Sequence, residues 1–150
     1  MTDRADYDDP EIEEAWCAER RAQVADYLRK QGVKRGRIGE WPAWHLAPNV
    51  SVWAIESTDT RGAVGWWAIC GDLPTDYVSG RGTRDPREAV RAFASRWREA
   101  SALMHRGEPH PELVLGSTPE ERKPLARLLE ARAMLLARMV EDEEIWDWDD

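Results

Sequence analysis

The sequence predicts an α+β fold: a small antiparallel β-meander of about three strands packed with three helices, in the order αβββαα. Three observations lead there. The chain has 150 residues, the usual size of one domain, and at that length roughly 70% of the unfolded surface can be buried without a disulfide or metal staple. Helix-start signals occur at Asp9-Pro10, Asp85-Pro86 and Thr118-Pro119. Between the first two lie runs rich in β-branched and aromatic residues, separated by a polar turn. Helices segregated around a small sheet suit this order.

The first helix is predicted over 10–31. Asp9 is a good N-cap, and Pro10 suits the first helical position because its missing N–H costs nothing there. Glu11, Glu13 and Glu14 favour the positive end of the helix dipole. Ile12, Trp16, Val24, Tyr27 and Leu28 recur at helical spacing, and Gly32 supplies a C-cap. The best strands are Ser51-Val52-Trp53-Ala54-Ile55 and Val64-Gly65-Trp66-Trp67-Ala68-Ile69-Cys70, joined by the turn Ser57-Thr58-Asp59-Thr60-Arg61-Gly62. Ala43-Trp44-His45-Leu46-Ala47, before Pro48-Asn49, supplies the third strand. Both good strands are apolar on both faces, so either both sheet faces are covered or one carries an exposed aromatic patch. The stretch from Gly71 to Arg84 reads as a long loop, of a length often functional. Gly32, Gly36 and Gly39, and Gly80 and Gly82, also read as flexible loops.

The second helix carries Val90, Phe93, Ala94, Trp97, Ser101 and Met104 on one stripe and closes at Gly107. Asp85-Pro86-Arg87-Glu88 opens it like a capping box. In the third, Leu125, Leu128, Leu129, Leu135, Leu136 and Met139 are the expected core face, with Arg132 expected to find an acidic partner there. No repeat or linker divides the chain, so it reads as a single domain, 1–150, with acidic termini at 1–8 and 141–150 that fray; Trp146 and Trp148 are able to dock back.

Composition narrows the function classes. The net charge is −8, which disfavours direct nucleic-acid binding, and the small basic clusters Lys34-Arg35-Arg37 and Arg81-Arg84-Arg87-Arg91 are spread apart. No signal peptide and no apolar run of membrane-spanning length is present, and Cys17 and Cys70 lie far apart without a CxxC or Cys/His partner. A cytoplasmic protein with reduced, inert thiols and no membrane partner is expected. No cofactor and no metal site is expected.

The unusual feature is aromatic choice: nine Trp against three Tyr and one Phe. Trp16 and Trp97 read as core. Trp41, Trp44 and Trp53 are open to either core or binding roles, since Trp dominates binding hot spots. In Glu40-Trp41-Pro42-Ala43-Trp44-His45, the imidazole is a candidate base and Glu40 a nearby carboxylate; a packed, hydrogen-bonded His is the commoner case. Asp72-Leu73-Pro74-Thr75-Asp76-Tyr77 follows a strand end, where carboxylates either act or cap turns. Gly80-Arg81-Gly82-Thr83-Arg84 precedes a helix and is able to cradle phosphate, but Asp85 holds the cap and no GK[ST] follows. The candidate binding residues are therefore Glu40, Trp41, Trp44, His45, Trp53, Asp72, Asp76 and Tyr77.

The strings Gly36-Arg37-Ile38-Gly39-Glu40-Trp41-Pro42-Ala43-Trp44-His45, Val52-Trp53-Ala54-Ile55-Glu56-Ser57, and Gly65-Trp66-Trp67 with Gly71-Asp72-Leu73-Pro74-Thr75-Asp76-Tyr77 resemble a family of small bacterial proteins of unknown function. The resemblance covers nearly the whole chain. It implies a size and a bacterial origin, and no activity, cofactor or site residue.

These readings favour a non-enzymatic protein-interaction or regulatory protein, of adaptor or immunity type, using a Trp-rich surface. Its partner is another protein, or a second copy forming a homodimer that buries the Trp face symmetrically. The alternative is a small-ligand binder or enzyme with a pocket near His45, Asp72 and Asp76, which requires those side chains to converge. A third reading, an acidic DNA mimic, requires carboxylates in rows, and the scattered arginines oppose it.

Overall fold

The computed structural model describes residues 6–111, 113 and 118–146. It contains three α-helices and a four-stranded antiparallel sheet, in the order αββββαα. The chain forms two compact units, Met1–Pro86 and Arg87–Asp150.

In the first unit, α1 spans Pro10–Lys30, with Asp9 accepting from the Glu11 amide as N-cap and Gly32 at φ 70° just beyond its end. The sheet is a plain meander of β1 (Trp44–Leu46), β2 (Val50–Glu56), β3 (Val64–Gly71) and β4 (Leu73–Ser79). β4 corrects the expected loop. Pro74, Thr75 and Asp76 look like turn chemistry, but β4 is an edge strand, where a proline without an N–H is tolerated. Its register against β3 pairs Val78 with Trp67 and Tyr77 with Ala68, with an irregularity between Ile69 and Gly71 where the chain turns.

The glycine segment before β1 is not a free loop either. Gly36 and Gly39 donate to the Glu56 and Ala54 carbonyls at 2.8 and 3.0 Å, and Ile38 bridges Ile55, so residues 36–39 extend the sheet edge along β2. A Cβ on Gly36 would lie 2.8 Å from the Glu56 carbonyl oxygen, so only glycine lets the two backbones approach this closely.

Alternation sorts the sheet side chains. His45, Ser51 and Cys70 share one row, Trp53, Ala68 and Tyr77 the next, and Ile55, Trp66 and Ser79 the last, all on one face. Val24 and Leu28 of α1 pack into this face with Ile38, Trp53, Ile55, Ala68 and Cys70. Arg21 of α1 donates to the Ile38 and Gly39 carbonyls, and Gln23 to Thr75, tying the helix to both sheet edges. The other face carries Trp44, Val52, Ile69 and Asp76 in one row and Ala54, Trp67 and Val78 in the next. Trp44, Val52, Trp67, Ile69 and Asp76 are buried as well. Both sheet faces are therefore largely buried, one of the two outcomes the apolar strands permitted.

The second unit contains α2 (Pro86–His105), α3 (Pro119–Glu141) and a short 3₁₀ turn, Glu143–Trp146. The helices run antiparallel. At one end Arg87 donates to the Val140 carbonyl and to Glu143; at the other, His105 meets Glu130 at 3.2 Å and Arg122 donates to the Gly107 carbonyl. Trp146 does dock back, donating to the Met139 carbonyl at 2.7 Å; Trp148 lies outside the described residues. The buried stripe of α3 is Ala126, Leu129, Ala133, Leu136 and Val140. It differs from the expected leucine face: Leu128 is 52% exposed, while Leu125, Leu135 and Met139 are only half-buried. The predicted set is centred on the flank beside the true stripe: Leu129 and Leu136 belong to both, while Ala126, Ala133 and Val140 hold the other buried positions. Arg132, on the margin of that stripe, is half-buried. Among the described residues no helix is long and apolar enough to cross a membrane.

Candidate functional site

The meander has two ends. At the turn end lie the β1–β2 turn, with a cis Ala47–Pro48 bond, and the β3–β4 turn; the Asp72 amide donates to the Asn49 carbonyl at 2.9 Å and joins them. At the hairpin end lie the β2–β3 turn at 57–63, the segment entering at residues 33–39 and the chain leaving β4 at Ser79.

The candidate residues scatter over this frame. His45 is half-buried, with Nε2 2.9 Å from Glu13 Oε2 and its ring stacked on Trp16 at 6.1 Å. Its carboxylate partner is thus Glu13 from α1, while Glu40 is exposed near the hairpin end. Asp76 is buried on the opposite sheet face, its Oδ1 accepting from the Tyr77 amide, and Asp72 is exposed at the β3–β4 turn. The three side chains of the pocket reading therefore do not line one cavity. Trp44 and Trp53 are 2% and 0% exposed; the Trp53 indole donates to Ser51 Oγ at 2.9 Å, which in turn donates to the Cys70 carbonyl. Tyr77 is half-buried against Trp66, with ring centroids 5.4 Å apart in an edge-on arrangement. Of the eight candidates only Trp41, 55% exposed beside Glu40, is a large apolar side chain open to solvent.

Two concave surfaces lie at the hairpin end. A cleft of about 550 Å³ is lined by Lys34, Ser57, Asp59, Trp66, Ser79 and Arg81, among others. A smaller one, about 310 Å³, lies on the other side of residues 63–64 and includes Arg37 and Glu40. Close backbone packing fixes the larger cleft. The Gly80 amide donates to the Gly65 carbonyl at 2.8 Å, a Cβ on Gly65 would lie 2.7 Å from Ser57 Cα, and one on Gly80 would collide with the Val64 carbonyl. Trp66 is held by Tyr77 and by its indole N–H, which donates to the Lys34 carbonyl at 3.2 Å.

The electrostatics of this end differ from those of the chain. Lys34, Arg35, Arg37, Arg61 and Arg81 gather here against Glu40, Glu56 and Asp59, on a protein of net charge −8. Among the described residues neither Lys34 nor Arg81 makes an ion pair, whereas Arg29, Lys30 and Arg87 all do. Ser57 Oγ accepts from the amides of Asp59 and Thr60, and Ser79 Oγ from that of Arg81. Both lone pairs of Ser57 and one of Ser79 are thus engaged, and both O–H groups are left to donate. Against the Asp59 carboxylate the lining sets Lys34, Arg81 and these hydroxyls, a net positive arrangement that suits an anion.

In sequence Lys34 stands out only as a member of a basic cluster, and Arg81 as a member of another and of the Gly80–Arg84 stretch weighed as a phosphate cradle. The signal that unites them is β4, which carries the chain back to the end where Lys34 enters.

The thiols are buried and unreactive in character. Burial pushes the Cys70 thiol up, against a smaller opposing effect of the Ser51 hydroxyl and Arg20; burial and then the Glu13 carboxylate push Cys17 up. Among the described residues no three His, Cys, Asp or Glu side chains gather as metal ligands.

A family model described as Domain of unknown function (DUF4826) matches residues 11–146, and the chain belongs to that family. No curated protein and no solved structure matches the chain.

Proposed function

We propose that this member of a family without an assigned function is a non-enzymatic regulatory or adaptor-type binding protein. Its working surface is the hairpin end of the meander, and its partner presents anionic groups. The observation that carries this reading is the cleft where Lys34 and Arg81 flank Trp66, neither in an ion pair among the described residues, with Asp59 as the carboxylate in the same lining. A structural cation normally has a partner, or extends alone into water; two that converge on one concave aromatic surface are suited to recognition. Trp41, exposed on the neighbouring edge, widens the surface. The Trp-rich face expected from composition thereby contracts to Trp41 and Trp66, with most of the remaining indoles serving as core.

The test is quantitative recovery of partners from native lysate by the wild-type chain, by K34A/R81A, and by R98A as a control cation exposed on α2. The expected result is a partner retained by wild type and R98A and lost with K34A/R81A. A set of partners unaffected by K34A/R81A overturns the reading.

A further inference from the structure

From the donor pattern of the larger cleft we infer that it is a nucleoside-polyphosphate site, with the phosphates between Lys34 and Arg81 and the base against Trp66. This deepens the proposed function and rests on the hairpin end being the working surface. Four features bear on it independently. The volume, about 550 Å³, falls within the range of sites that enclose small ligands. Two unpaired cations supply charge without a desolvated internal ion pair to break. The Ser57 hydroxyl has both lone pairs engaged by backbone amides and the Ser79 hydroxyl has one, so each is free to donate, and phosphate oxygens are pure acceptors. Trp66 is half-buried and braced by Tyr77 and the Lys34 carbonyl, which makes it a rigid platform; a base stacks on such a ring with little ordering cost. A bare phosphate would use the cations and leave the indole idle. A neutral aromatic ligand would do the reverse. Only a ligand with both parts uses the whole cleft.

Asp59 opposes the charge. It lines the same cleft, and no cation neutralises it among the described residues. It therefore limits affinity, and its removal is expected to raise it.

The experiment titrates the isotopically labelled full chain with ATP, tripolyphosphate and adenosine, following the Trp66 indole N–H, assigned by W66F, together with calorimetry. The expected result is a shift of the Trp66 indole signal by ATP, weaker binding of tripolyphosphate, and no measurable binding of adenosine. K34A and R81A should each weaken ATP binding by about tenfold, the size of one lost charge-assisted contact, and D59N should strengthen it. These side chains are exposed, so the variants test binding and not folding. Absence of an ATP effect at millimolar concentration, equal affinity for tripolyphosphate and ATP, or binding insensitive to both cations overturns the inference. Failure here with partner recovery still sensitive to K34A/R81A removes the nucleotide assignment and leaves the binding function standing. Insensitivity of partner recovery removes the latter separately.

Discussion

The two ends of the meander handle their polar groups in opposite ways. At the turn end His45 is paired with Glu13 and stacked on Trp16, and the Asp72 amide is bonded to Asn49. At the hairpin end Lys34 and Arg81 are unpaired and two serine hydroxyls face a cleft with their donors unused. The contrast teaches that rare side chains are a weaker sign of function than unspent ones. Tryptophan, histidine and aspartate drew attention to the turn end because they are chemically versatile. Their capacity is taken up by the fold, while ordinary lysine, arginine and serine retain theirs.

The largest expected effect comes from removing the core that both ends share. Trp53 is fully buried between α1 and the sheet, and Trp53→Ala should cost about 3–5 kcal/mol of unfolding free energy, measured by urea denaturation. A cost below about 1 kcal/mol would mean that the sheet is not held by this indole. Gly80→Ala is a smaller and more local change. Its Cβ would collide with the Val64 carbonyl, so the strand end must shift, at about 1–3 kcal/mol. Because Arg81 moves with it, ligand or partner binding should weaken beyond what the stability loss explains; unchanged binding would detach the cleft from the backbone that shapes it.

The smallest effect concerns the buried thiols. Burial raises both above the ordinary thiol range, so the unfolded chain loses these protons first as pH rises. Their contribution to stability is fully present below about pH 8.5 and is lost as pH rises through the folded-state values. Unfolding midpoints should therefore fall above that pH, less so in C17A/C70A, and native thiols should resist alkylation at pH 8. Rapid native alkylation would contradict their burial.

The fold was legible where local chemistry and tertiary outcome agree. Asp9-Pro10 and Thr118-Pro119 marked the starts of their helices to the residue, and the β-branched and aromatic runs marked β2 and β3. It was illegible at β4, because Pro74 and Asp76 carry turn signals and an edge strand tolerates them. That one strand decided the site. With three strands the chain leaves the sheet at the turn end, and Arg81 falls far from Lys34. With four it returns to the hairpin end, and the separate basic clusters converge. The core face of α3 was partly misread for a different reason. Buried alanines hold the stripe and Leu128 faces outward, so the larger leucines drew the predicted face to one flank of it.

The central claim is that one end of the meander is structural and the other is for binding. Thermal unfolding and partner recovery, measured side by side on K34A/R81A and on E13A/H45A, test it most directly. The account predicts that K34A/R81A unfolds with the wild type and loses its partner. It predicts that E13A/H45A, deprived of its hydrogen bond and ring stack, is less stable by about 1 kcal/mol and keeps its partner. The reverse pattern, with binding lost at the His45 pair and kept without Lys34 and Arg81, would contradict it.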